Sequence, residues 1–96
     1  MEALAKYKIR VSNQFKKQYK NCIRRGFNIS KIDTAMRLLS ETGYLTKDYY
    51  PHKLSGNRKN QWECHIEPDW LMIWEKDDFE LTILFLETGT HSDLFK

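Results

Sequence analysis

Apolar and polar residues first alternate where Tyr7, Ile9 and Val11 are interleaved with Lys6, Lys8 and Arg10. A period of two predicts a strand with one buried face. Ser12 or Asn13 then offers a side-chain cap, and the period lengthens. Phe15, Tyr19, Cys22 and Ile23 recur at helical spacing, with Lys16, Lys17, Lys20 and Arg24 off that stripe. This predicts an amphipathic helix stopped at Gly26. A second helix is expected from Asn28 or Ser30, where Ser30 and Asp33 are spaced as a capping box. Its stripe is Ile32, Ala35, Met36 and Leu39, and Gly43 ends it. The short link between the helices predicts an antiparallel hairpin.

Residues 45–60 have no clean period. Pro51, Gly56 and Asn57 mark a loop that is long for so small a chain, and such loops are often functional or mobile. From Trp62 the period of two returns, with Trp62, Cys64 and Ile66 against Glu63, His65 and Glu67. Pro68 interrupts it. Trp70 to Trp74 is an unbroken apolar run suited to a central strand. A turn at Lys76–Asp78 and a strand over Phe79–Leu86 follow, and Gly89 opens a polar tail to Lys96. Strand, helix, helix and three strands make an α+β domain over residues 1–96. The two N-terminal helices pack on one face of a small, mainly antiparallel sheet. The other face is expected to be concave and more polar, with Glu63, His65 and Glu67 projecting from it.

Charge changes this picture through its distribution. Sixteen Lys and Arg against thirteen Asp and Glu leave only +3. From Lys6 to Arg25, however, eight basic residues occur without an acid, whereas acids crowd the stretch from Glu63 to Glu87. A basic half implies a polyanionic partner on one side. Lys16, Lys17, Lys20, Arg24, Arg25, Lys53, Arg58 and Lys59 are the expected phosphate contacts. Cys22 and Cys64 fall on apolar periodicities and lack metal-site spacing, which predicts core thiols in a reducing cytosol. No apolar run is long enough to span a membrane, and Met1–Lys8 lacks the apolar stretch of a signal peptide, so a cytoplasmic protein is expected. P-loop, dinucleotide-glycine, nucleophile-elbow and CxxC patterns are missing, which leaves NTPase, redox and serine-hydrolase chemistry without support.

The candidate chemistry is histidine chemistry. His52 lies in the loop, His65 on the polar side of a strand, and His91 in the tail, with Asp69 beside Trp70. Each imidazole taken alone reads as a solvated side chain. Together they supply what RNA cleavage needs: a base for the ribose 2′-OH, an acid for the departing 5′-oxygen, and positive charge near the phosphate. No metal or other cofactor is required, and the histidine spacing does not suit zinc.

Three segments resemble the YafQ branch of the RelE toxin superfamily: Pro51-His52-Lys53-Leu54-Ser55-Gly56, His65-Ile66-Glu67-Pro68-Asp69-Trp70, and Glu87-Thr88-Gly89-Thr90-His91-Ser92-Asp93-Leu94-Phe95. Their order, spacing and overall length match too. The resemblance implies a microbial ribonuclease-like fold and cleavage of mRNA in the A site of the 70S ribosome. It implies neutralisation by a small acidic antitoxin of the RelB/DinJ kind, whose disordered tail wraps the toxin. It further implies binding of operator DNA only as the toxin–antitoxin complex, and no membrane partner. His52, His65, Asp69 and His91 match acid–base positions, with His91 as the proton donor. Trp70 and Phe95 match positions that shape the site or stack on bases. Other RelE relatives use Lys, Arg and Tyr, so no catalytic arginine is carried over. Two alternatives stand beside this: a same-fold inhibitor without catalysis, like the gyrase-directed ParE toxins, and an RNA-binding module. An inhibitor has no need of proton-transfer residues, and a module would show outward aromatics on its strands.

Overall fold

The computed structural model describes residues 5–95; the expectations for the first four residues and for Lys96 lie outside the described residues. The elements are β1 (Lys8–Val11), α1 (Asn13–Arg24), α2 (Ile29–Thr42), β2 (His52–Lys53), β3 (Trp62–Glu67), β4 (Trp70–Asp77), β5 (Thr82–Gly89) and α3 (His91–Leu94), with 3₁₀ turns at Lys47–Tyr49 and Gly56–Arg58. The strand order is β1-β5-β4-β3-β2. All pairings are antiparallel except that of β1 with β5.

Ser12 caps α1. Its Oγ accepts the Phe15 N–H at 2.9 Å, and its hydroxyl donates to the Leu86 carbonyl at 2.8 Å, so the cap also moors the helix to β5. Phe15 and Cys22 are buried, but Ile23 is 50% exposed. It lies about 100° round the helix from Cys22 and misses the narrow line of contact. The expected Ser30–Asp33 capping box does not form. Asn28 holds the N-cap position, and the Asp33 carboxylate instead accepts the Tyr19 hydroxyl at 2.6 Å, joining α2 to α1. Gly43 ends α2 in the left-handed conformation, φ 82°.

The helices cover one sheet face. Phe15, Cys22, Ile32, Ala35 and Leu39 meet Cys64, Ile66, Trp70, Met72, Trp74, Ile83 and Phe85. Each large apolar side chain fully buried this way contributes roughly 1.5–3 kcal/mol. Leu71 and Ile73 are also fully buried, but alternation places them on the other face.

Two irregularities decide what reaches that other face. Along β4 and β5, Trp74 pairs with Phe85 and Ile73 with Glu87, so Leu86 is an extra residue. Strict alternation would send Glu87 into the core with Ile83 and Phe85. The bulge reverses the parity and turns Glu87 outward. Along β3 and β4, His65 pairs with Leu71 but Glu67 with Trp70. Glu67 therefore points to the helix side, where Lys31 donates to it at 2.9 Å. The expectation that Glu67 shares a face with His65 is thus corrected. β5 also starts later than expected. Asp77 accepts the N–H groups of Phe79 and Glu80, both at 2.9 Å, and this side-chain turn leaves Phe79 92% exposed. Among the described residues, no helix is long and apolar enough to cross a membrane.

Candidate active site

The floor of the uncovered sheet face is apolar. Leu71 lies between His65 and Gly89, and Ile73 between Glu63 and Glu87, with His52 opposite Glu63 at the β2 edge. Cross-strand partners share a face, so His52, Glu63, His65 and Glu87 rise from the same surface.

His91 joins them from beyond β5. Thr90 caps the short helix α3 in a reciprocal capping box with Asp93. Gly89 is required beneath it, because a Cβ there would come within 2.8 Å of the Asp93 carboxylate. Arg25, at the end of α1, donates to the same carboxylate at 2.7 Å. From the β3–β4 turn, one oxygen of Asp69 accepts both the His91 backbone N–H at 2.9 Å and the ring Nδ1 at 2.5 Å. The His65 and His91 ring centres are 5.8 Å apart.

The second nitrogens fix the tautomers. His65 Nδ1 lies 3.1 Å from the Pro68 carbonyl, which can only accept, so Nδ1 carries hydrogen and the neutral ring has its lone pair on Nε2. His52 Nδ1 donates to the Tyr50 carbonyl at 2.9 Å, and its Nε2 faces Glu63 at 3.2 Å. The His91 backbone N–H and then its ring hold the Asp69 carboxyl below the usual carboxylate range. The Thr90 N–H and then Arg25 do the same for Asp93. Burial pushes the thiols of Cys22 and Cys64 up, so neither is an activated nucleophile.

The other expected residues divide. Arg58 is present on this face, but its guanidinium is engaged by Glu87 at 2.6 Å and lies over the Phe95 ring at 5.4 Å. Phe95 keeps 45% exposure and can still offer a face. Trp70 cannot: it is 2% exposed, its Nε1 donates to Thr88, and Phe27 packs edge-on against it. The idea that Trp70 stacks on a base is corrected; it buttresses the site from behind. Lys53 is also displaced. It pairs with Trp62, hence faces the helix side, opposite to its neighbour His52. Lys59 is exposed, and Lys16, Lys17 and Lys20 lie on α1, behind the sheet from the histidines. Arg25 is committed to Asp93.

Sequence reasoning missed Glu87, Tyr50 and the Thr90–Asp93 cap. The cap was readable, since Thr90 and Asp93 have capping-box spacing. Glu87 was hidden by the bulge. Among the described residues, no group of three or more His, Cys, Asp and Glu is arranged to hold a metal ion.

Helices backing one sheet face, with imidazoles and carboxylates gathered on the other, make a small α+β protein equipped for proton transfer. Residues 7–96 match the family model described as the bacterial toxin of the type II toxin–antitoxin system, YafQ. The chain is 36% identical over 88 residues to the mRNA interferase toxin YafQ of Escherichia coli K12, covering 91% of this chain and 94% of that protein. Its structure is similar to YafQ in the E. coli DinJ–YafQ toxin–antitoxin complex, with TM-score 0.87 and 33% identity over 95% of this chain and 99% of that one. A metal-bound toxin from Helicobacter pylori gives TM-score 0.80 and 31% identity over 93% and 99%. The chain belongs to the YafQ family of bacterial type II toxins.

Proposed function

We propose that this toxin is an endoribonuclease that cuts mRNA in the A site of the ribosome by metal-independent histidine acid–base catalysis. The observation that carries the reading is the paired polarity of His65 and His91 across 5.8 Å. His65 Nε2, left with a lone pair, takes the proton from the ribose 2′-OH. The 2′-oxygen attacks the adjacent phosphorus and the bond to the 5′-oxygen breaks. His91, its ring oriented through Nδ1 by Asp69, gives its Nε2 proton to that leaving oxygen. The products are a 2′,3′-cyclic phosphate and a 5′-hydroxyl. Arg58 and His52 face the charge building on the phosphate, and Phe95 offers an exposed ring to a flanking base.

The lysines of α1 lie behind the site. They suit ribosomal RNA phosphates, while the histidine face takes the mRNA. The cognate antitoxin is a small acidic protein that folds on binding and covers the His52 and His91 segments. Operator DNA is bound only by the complex of the two.

The test is incubation of the purified toxin with ribosomes programmed with a defined mRNA. Cleavage in the A-site codon, leaving a cyclic phosphate without added metal and abolished by the neighbouring acidic gene product, supports the reading. A chain that expresses freely alone, leaves growth unaffected and cuts no ribosome-bound message overturns it.

A further inference from the structure

We propose that Tyr50 is the stacking platform of a nucleobase subsite beside His65, and that this subsite selects a base carrying an exocyclic amine. The proposal rests on the ribonuclease reading above. Tyr50 ends the 3₁₀ turn Lys47–Tyr49 at φ 50°, ψ 49°. Bulky side chains rarely adopt this left-handed conformation, and where they do the strain tends to mark function. Here the kink gives one residue contact with two site histidines. The Tyr50 carbonyl accepts from His52 Nδ1 at 2.9 Å, and the ring meets His65 edge-on, 6.0 Å between centres and 83° between planes.

The ring is not core packing, because Tyr50 is 70% exposed. It borders a groove of about 560 Å³ shared with Asp48, His65, Ile66, Glu67 and Pro68. That volume lies within the roughly 300–1,000 Å³ of small-ligand sites. Tyr50, Ile66 and Pro68 give apolar walls. Among the described residues no Lys or Arg lines the groove, so it suits a base rather than a phosphate. The rim carries two carboxylates. Glu67 is engaged by Lys31, and Asp48 by the Thr46 hydroxyl, and each keeps lone pairs for another donor. Carboxylates accept from amino groups such as the N4 amine of cytosine. Adenine and guanine also carry an exocyclic amine; uracil does not. Since His65 takes the 2′-OH proton, the base concerned belongs to a nucleotide flanking the cut phosphate. Aromatic stacking supplies the affinity, and the rim supplies the choice.

The experiment uses the whole toxin and a short RNA made uncleavable by one 2′-deoxy sugar at the cut position. Tyr50→Asn removes the ring while tolerating the left-handed backbone, and Tyr50→Phe keeps the ring. We expect the RNA to move the Tyr50 and His65 ring signals in NMR spectra. Tyr50→Asn should weaken binding about tenfold, Tyr50→Phe should restore it, and uracil at the subsite should weaken it in the wild type only. On programmed ribosomes the loss in Tyr50→Asn should fall on KM. Histidine signals that respond to RNA while Tyr50 stays unmoved, or Tyr50→Asn binding at wild-type affinity, would sink the subsite and leave the nuclease standing. Programmed ribosomes whose message the wild-type toxin leaves intact would overturn both.

Discussion

Asp69 and His91 show how a single carboxylate can position an exposed imidazole. The carboxylate accepts two hydrogens from one residue, the backbone N–H and the ring Nδ1–H, and so fixes both where the imidazole lies and which way it turns. His91→Ala should therefore lower cleavage of ribosome-bound mRNA about 10²–10⁴-fold with the thermal unfolding midpoint unchanged, since His91 is exposed. Near-wild-type cleavage by that variant would remove His91 from the mechanism. Asp69→Asn keeps an acceptor and loses the charge, so it should retain structure and lose rate. The imidazoles were legible in sequence because His52, His65 and His91 stand in the three segments that carry the family resemblance. Glu87 was not, because counting by twos through Leu86 gives the wrong face. Nor was Tyr50, because nothing in the sequence forecasts a left-handed tyrosine.

The elements were legible to the extent that one face of each is apolar. The α1 and α2 stripes and the β3 and β4 patterns predicted real elements. α3 escaped because four residues carry no periodicity, and β2 because it is two residues long. A four-residue helix cannot support itself, so α3 rests on Asp69, which accepts from His91, and on Arg25, which holds the carboxylate of Asp93. Both carboxyls are depressed in the folded chain. The sign follows: their contribution is complete above the ordinary value of 3.8 and is lost as pH falls through the lowered folded values. Amide signals of Thr90 and His91, followed from pH 5 downward, should show α3 releasing before the sheet unfolds. Arg25→Gln removes one support of the Asp93 carboxylate, so release should then begin at a higher pH. Disappearance of α3 and sheet signals at a single pH would contradict this. At the end of α2, Gly43→Ala should destabilise the fold. The new Cβ would lie 2.5 Å from the buried Tyr7 ring, at φ 82°. The backbone part alone costs about 1–2 kcal/mol, and moving Tyr7 breaks its hydrogen bond to Asp78. A urea midpoint equal to that of the wild type would show that Tyr7 yields freely.

For the molecule as a whole, the sheet separates two surfaces. The lysines of α1 lie behind it, and the histidines lie in front. Reversing Lys16, Lys17 and Lys20 together to Glu should weaken ribosome association. It should also flatten the salt dependence by about 0.7–0.9 in log–log slope for each phosphate no longer neutralised. Cleavage once the toxin is bound should persist. Unchanged association at low salt would make the lysine face merely solvated. The charge asymmetry was readable from the sequence, but its division between two faces required the sheet.

The parallel pairing of β1 with β5 bears on the moment at which this protein becomes dangerous. Lys8–Val11 must wait for Thr82–Phe85, an interval of about 4–15 s at the usual pace of synthesis of about 5–20 residues per second. His91 emerges later still. Under the histidine mechanism proposed above, a nascent chain carries His52 and His65 for seconds without His91 and stays inactive toward the ribosome that makes it. On that reading the face is finished only once α3 has folded, which gives a cognate inhibitor already in solution an early encounter with it.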